Sequence, residues 1–80
     1  MNKTTETMHQ IWLCIAKKHG CAAADYDIQA LQWYIPRCSA TFLRLFNNCK
    51  PYMVARRLHA GGSIEEQIGR IQRYLGYNPA

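Results

Sequence analysis

Apolar residues recur along most of this chain at the spacing of an α-helix, and residues that begin or end helices separate these stretches. The first apolar stripe consists of Met8, Ile11, Trp12 and Ile15. Their spacing of three and four residues predicts a helix that buries one face. Thr4 or Thr5 is expected to cap this helix, and Gly20 is expected to end it after His19.

A second helix is predicted to end by Ile35, because Pro36 follows it and the residue before proline avoids helical geometry. Asp25 or Asp27 is the expected cap at its start, with residues 21–24 forming either a connection or an extension. Apolar residues occur on both of its sides, with Trp33 opposite the main stripe. Such a helix either lies at the centre of a bundle or offers a face to a partner.

Three further helices are predicted from their end signals. Ser39 is expected to cap the third helix, and Pro51 is placed as the first residue of the fourth. Ser63 and Glu66 have the spacing of a capping box at the start of the fifth helix, which Gly76 is expected to end.

The inner stripes of these helices predict a shared core that contains Leu31, Phe42, Phe46, Leu58, Ile68 and Ile71. Gly69 inside the fifth helix costs about 1 kcal/mol relative to alanine, which a close backbone crossing would explain. No stretch alternates in the manner of a strand. We therefore predict an all-α fold, a compact bundle of four or five short helices. The chain is predicted to form a single domain over 1–80, with frayed ends at 1–3 and 77–80.

The charge of the chain is concentrated in its middle. Ten basic and five acidic residues give a formal net charge of +5, and the basic and acidic residues cancel over 1–27 and over 64–80. Residues 28–63 contain no acidic residue and five basic ones, Arg37, Arg44, Lys50, Arg56 and Arg57. Lys17 and Lys18 are interpreted as cations that suit the C-terminal end of the first helix. A basic chain of this kind favours an anionic partner.

The third helix, the break after it and the fourth helix resemble a helix-turn-helix in general shape, although Cys49 stands where glycine is customary. The fourth helix would offer Tyr52, Arg56 and His59 to a groove, where arginine can pair with guanine. The leading hypothesis is therefore a small nucleic-acid-binding regulator that uses the basic segment 37–59. The predicted binding residues are Arg37, Arg44, Lys50, Tyr52, Arg56, Arg57 and His59.

The alternative hypothesis is an inhibitor or adaptor that docks on an acidic protein surface through the same basic and aromatic face. Trp33 is a candidate interface aromatic, because large amphipathic side chains are enriched at interfaces; it could equally pack between helices. A third hypothesis is a structural homodimer module.

Other function classes find no support in the sequence. The four cysteines lack the close pairs of zinc sites, since six residues separate Cys14 from Cys21 and ten separate Cys38 from Cys49. They are expected to pack as reduced side chains, with no metal and no cofactor. No catalytic motif is present, so an enzyme is not expected. The absence of a signal peptide and of a membrane span predicts a cytoplasmic protein without a membrane partner.

In general character the chain resembles the small accessory proteins that bacterial phages and prophages encode, which are short and basic and lack catalytic motifs. The resemblance covers the whole chain and carries over no functional residue. It implies regulators of transcription and inhibitors of host machinery, including defence systems, as expected functions.

Overall fold

The first helix is the element on which most of the others pack. In the computed structural model, which describes residues 2–78, the helices are α1 (Lys3–His19), α2 (Cys21–Tyr34), α3 (Ala40–Asn47), α4 (Pro51–Leu58) and α5 (Ile64–Leu75). A single 3-10 turn, Ile35–Arg37, follows α2. Helix α1 packs against α2, α3 and α4, and α5 packs against α4. The described residues contain no strand, and the predicted all-α bundle is confirmed.

The core predicted from the helical stripes is confirmed. All six predicted residues are buried in one cluster, which Ile11 and Ile15 of α1 join. Gly69 does not lie at a backbone crossing, because the space that a side chain would occupy there contains only the guanidinium of Arg73 at 3.6 Å. The expected close approach at Gly69 is therefore wrong. No described helix is long and apolar enough to cross a membrane.

Three of the predicted helix starts are confirmed in atomic detail. The Ser39 hydroxyl accepts from the Phe42 amide at 3.2 Å, and Pro51 is the first residue of α4. The Ser63 hydroxyl accepts from the Glu66 amide at 3.2 Å, as a capping box requires. These starts depend on contacts within one turn, which the sequence specifies directly.

The starts of the first two helices differ from their predictions. Asn2 caps α1 by accepting from the Thr5 amide at 2.8 Å, so neither Thr4 nor Thr5 is the cap. Helix α2 begins at Cys21, directly after Gly20, and therefore contains both Asp25 and Asp27. Neither aspartate is a cap.

Both aspartates contact other helices. Asp25 Oδ1 accepts from Trp12 Nε1 at 2.9 Å, and Asp27 lies beside His59. Their tertiary partners on α1 and at the end of α4 are what hold these carboxylates, in place of backbone amides at a helix start.

The chain continues to pack against the core after the end of α5, where fraying is predicted. Gly76 ends α5 in the left-handed conformation with φ 70°, and Tyr77 then turns back onto α3. The Tyr77 ring meets Phe42 edge to face at 5.1 Å between centroids, and its hydroxyl is 3.1 Å from that of Ser39. Tyr77, which belongs to the range predicted to fray, therefore packs on the core. The parts of that prediction that concern Met1, Pro79 and Ala80 lie outside the described residues.

The aromatic neighbours Trp33 and Tyr34 have different environments. The Tyr34 ring packs edge to face against Phe42, and its hydroxyl accepts from Gln72 Nε2 at 2.7 Å. Burial raises the pKa of Tyr34 to about 12. Trp33 is 54% exposed. Tyr34 therefore packs between helices, whereas the exposure of Trp33 disfavours that role for it.

The cysteines occupy the margin of the core. Cys14, Cys38 and Cys49 are half-buried against it, and Cys21 is exposed. Burial raises the pKa of the Cys49 thiol to about 11, so the neutral thiol predominates near pH 7. Among residues 2–78, no group of three histidine, cysteine or acidic side chains is arranged to hold a metal ion.

Candidate functional site

A cleft of about 210 Å³ lies between the last turns of α1 and the outer side of α4. Its polar lining comes from Lys18, His19, Tyr52, Arg56 and His59. Its apolar walls come from Cys14, Ile15, Ala55 and Ala60. We call this feature the α1–α4 cleft. It combines positive charge, aromatic rings and apolar surface in one concave site.

The packing of α4 explains why its polar residues face the cleft. Val54, Ala55 and Leu58 are buried, which fixes the inner side of this short helix. Tyr52 and Arg56 are four residues apart and therefore lie on successive turns of the same outer side. Both are exposed, and Tyr52 is 53% exposed.

The last turn of α1 supplies the opposite side of the cleft. Ile15 is fully buried, and Lys18 and His19 follow it by three and four residues. They therefore lie on the same side of α1, beyond the edge of the core. The exposed positions of both side chains leave them open to solvent at the rim of the cleft.

A buried carboxylate fixes the histidine pair of the cleft. Asp27 is only 3% exposed, and its Oδ2 is 3.0 Å from His59 Nδ1. An ionised carboxylate only accepts hydrogen bonds, so Nδ1 of His59 carries the proton. The His59 ring also stacks on His19, with ring centroids 3.6 Å apart. The His59 side chain, at the end of α4, thus links α2 to the end of α1.

The stacked arrangement changes the protonation of His19. Partial loss of water around the stacked ring is the main cause that lowers the pKa of His19 from its ordinary value of 6.5. Electrostatic interactions with His59 and Lys18 lower the pKa of His19 further, while the interaction with Asp27 raises it. His19 therefore favours its neutral form near pH 7, in which one ring nitrogen accepts and the other donates.

The structure brings together three of the seven predicted binding residues. Tyr52, Arg56 and His59 line the α1–α4 cleft. Arg44 on α3 and Lys50 before α4 are exposed but do not line this cleft.

The other two predicted arginines pack against aromatic rings. Arg57 is half-buried, lies 4.2 Å from the centre of the Tyr74 ring and donates to the Met53 carbonyl at 3.0 Å. Arg37 lies 4.3 Å from the centre of the Trp33 ring and donates to the Trp33 carbonyl. Each arginine therefore already has a stacking partner and a backbone acceptor.

Sequence reasoning missed Lys18 and His19 as parts of the site. Their positions in the last turn of α1 matched the dipole explanation, which needs no partner beyond the helix itself. They meet Arg56 through the packing of α1 on α4. The one available signal was the position of His19, four residues after Ile15 on the apolar stripe.

Across the described part of the chain, neighbouring carboxylates do not neutralise the positive charge of the lysines and arginines. Among residues 2–78 the sole ion pair joins His59 to Asp27, and no lysine or arginine lies within 4.0 Å of a carboxylate oxygen. Two of the carboxylates already have other partners, since Asp25 accepts from Trp12 on α1 and Glu66 belongs to the capping box of α5. Lys18 and Arg56 therefore keep their charge available to an external anion.

A second exposed surface lies between the end of α2 and the start of α5. Trp33 and Ile64, which are 54% and 43% exposed, line it together with Tyr34, Ile68 and Glu65. We call it the Trp33 surface. Unlike the α1–α4 cleft, its lining contains no basic residue, and Arg37 lies beside it on the Trp33 ring.

Comparison with protein-family models, with curated proteins and with solved structures finds no match for this chain. The side chains and charges of the two surfaces are therefore what points to a function.

Proposed function

We propose that this protein is a small non-enzymatic regulator that binds nucleic acid through the α1–α4 cleft. The observation that supports this function best is the absence of any carboxylate partner for the lysines and arginines of residues 2–78, in a chain of net charge +5. Folded proteins commonly place acidic residues beside exposed basic ones, and a basic surface without them attracts polyanions.

In this proposal the cations of the cleft contact phosphates. Lys18 and Arg56 approach the same cleft from two helices, so a backbone that passes over it meets both charges. The Tyr52 hydroxyl and the histidine pair add hydrogen-bonding groups within the cleft. Arg44 and Lys50, on the neighbouring α3–α4 segment, are also exposed and add to the positive charge that attracts a polyanion.

Salt dependence tests the proposal. Each neutralised phosphate contributes about −0.9 for duplex DNA, or about −0.7 for a single strand, to the slope of log affinity against log salt concentration. Arg56→Ala and Lys18→Ala should each make the slope shallower by about that amount, measured by fluorescence anisotropy with labelled oligonucleotides. Lys17→Ala is the matched control, because Lys17 is exposed and adjacent but does not line the cleft.

Two results would contradict this function. The wild-type protein could fail to bind DNA or RNA of any form at low salt. Alternatively, Lys17→Ala could weaken binding as much as Lys18→Ala does, which would show that only net charge matters.

A second candidate function is docking on a protein through the Trp33 surface, and the exposure of Trp33 and Ile64 favours it. Tryptophan and arginine are enriched among residues that dominate binding energy. A partner captured from nuclease-treated lysate should then be lost with Trp33→Ala. It should be retained with Tyr26→Ala, which alters an exposed ring on the same helix that does not line this surface.

The same variants separate a protein partner from a homodimer. Light scattering of the purified protein would reveal a dimer, and its dissociation by Trp33→Ala would assign the Trp33 surface to a second copy of the chain. A monomer that captures nothing after nuclease treatment would contradict the docking function.

A further inference from the structure

We infer that the α1–α4 cleft takes a single strand of nucleic acid, with one unpaired base inserted into the cleft and an adjacent phosphate held by Lys18 and Arg56. The inference rests on the proposed function and specifies the form of nucleic acid and the way it binds.

The walls of the cleft suit a base better than they suit a bare phosphate. Cys14, Ile15, Ala55 and Ala60 give it apolar surface, which offers nothing to a hydrated anion. A base presents two apolar faces and a polar edge. The volume of about 210 Å³ corresponds to about seven water molecules, which is the scale of a single base.

Aromatic rings are available at the same place. The exposed ring of Tyr52 lines the cleft, and so does the stacked pair of His19 and His59. Proteins that bind single strands combine a basic groove with aromatic side chains on which bases stack. Both components are present within this one cleft.

The polar groups of the cleft are arranged before any ligand binds. The Asp27 carboxylate accepts a hydrogen bond from Nδ1–H of His59 and fixes the orientation of that ring. With Nδ1–H committed to Asp27, Nε2 is the remaining polar atom of His59, and the Tyr52 hydroxyl is another polar group of the cleft. Fixed polar groups and stacking surfaces are what a protein uses to hold an unpaired base.

The packing of α1 beside α4 disfavours the binding of duplex DNA at this cleft. Two packed helices have axes about 8–10 Å apart, and each is about 10 Å across, so together they are about 18–20 Å wide. The major groove of duplex DNA is only about 12 Å wide. The last turn of α1 therefore stands in the way of docking the cleft side of α4 in a groove.

The helix that would read a duplex also has few free side chains. The guanidinium of Arg57 stacks on Tyr74, and His59 is bonded to Asp27. Tyr52 and Arg56 are the two predicted residues of α4 that remain exposed. Recognition helices usually reach base edges with three or four side chains.

Fluorescence anisotropy with oligonucleotides of equal length tests the inference without any variant. Single-stranded DNA or RNA should bind more tightly than an abasic strand that carries the same phosphates but no bases. The expected difference is about 5- to 150-fold, the effect of stacking one base on an aromatic side chain. The comparison of DNA with RNA shows whether the ribose hydroxyl contributes.

Variants at Tyr52 locate the base. Tyr52→Ala should lower the affinity for a single strand by about 5- to 150-fold, the effect of losing one stacked base. Tyr52→Phe, which keeps the ring, should retain most of the affinity. Tyr26→Ala is the matched control, because Tyr26 is a tyrosine that is 65% exposed and does not line the cleft. Circular dichroism establishes that each variant is folded.

The outcomes separate the inference from the proposed function. Duplex DNA that binds as tightly as a single strand, or an abasic strand that binds as tightly as a normal one, would overturn the inference and leave nucleic-acid binding in place. Failure of the wild-type protein to bind any of these oligonucleotides at low salt would overturn both.

Discussion

Removal of the His59 side chain should destabilise the protein more than removal of the charge on its partner. Asp27 is 3% exposed, and His59 Nδ1 at 3.0 Å is its polar side-chain partner. His59→Ala leaves this buried carboxylate without its donor. The loss of a partner costs about 1–3 kcal/mol for a buried neutral group and more for a charged one. We therefore expect about 3 kcal/mol of lost stability.

Asp27→Asn should cost less, because an amide oxygen can still accept from His59 Nδ1. The change replaces a charge-assisted hydrogen bond by a neutral one, a difference of about 1 kcal/mol. In the Asp27→Asn background, His59→Ala should cost only about 1–2 kcal/mol, since no charge is left buried. The two residues should therefore show a coupling free energy of about 1–2 kcal/mol.

Urea unfolding at neutral pH, followed by circular dichroism, measures all four members of this double-mutant cycle. His9→Ala serves as the control, because His9 is an exposed histidine of α1 and should change stability by no more than about 0.5 kcal/mol. If His59→Ala behaves like the His9 control, the buried carboxylate does not depend on His59. The role of His59 as the hydrogen-bond donor that stabilises Asp27 would then be wrong.

Three further predictions follow from the packing, the caps and the pKa of His19. Phe46→Ala should cost about 3–5 kcal/mol, enough to abolish the thermal transition of so small a protein; a melting temperature near wild type would contradict the burial of Phe46. Ser63→Ala should cost about 1 kcal/mol in urea unfolding, whereas Thr4→Ala should have little effect, because Asn2 is the cap of α1; equal effects would contradict the assignment of the caps. The lowered pKa of His19 means that the unfolded chain binds its proton more readily than the folded protein does. The contribution of His19 to stability is thus full above pH 6.5 and decreases as the pH falls below that value toward the folded-state pKa. The melting temperature of His19→Gln should therefore vary less with pH in this interval than that of the wild type, and identical pH profiles would refute the assignment.

Local signals predicted most of the fold. The caps at Ser39 and Ser63 and the first residue Pro51 act within one helical turn, so the sequence alone specifies them. The predicted start of α2 is wrong because the contacts that decide the roles of its aspartates are not local. Asp25 and Asp27 have the preference of caps, but their partners are Trp12 and His59 on other helices. A propensity scale contains no information about such partners.

The site was predicted only where a single helix determines it. Tyr52 and Arg56 share one side of α4 by helical periodicity, and His59 follows at its end. Arg57 is the next residue after Arg56, but a rotation of about 100° per residue carries it toward Tyr74 on α5. Lys18 joins the site through the packing of α1 on α4, which depends on residues far apart in the sequence.

The central position of α1 has a consequence for how this protein opens. The buried side chains of Ile11 and Ile15 belong to a helix that contacts α2, α3 and α4. If any of these three neighbours moves away, the apolar stripe of α1 meets water, so none of the three can detach at the low free energy typical of a peripheral segment. The backbone amides of α1 should therefore become exposed to hydrogen exchange only when the whole bundle unfolds.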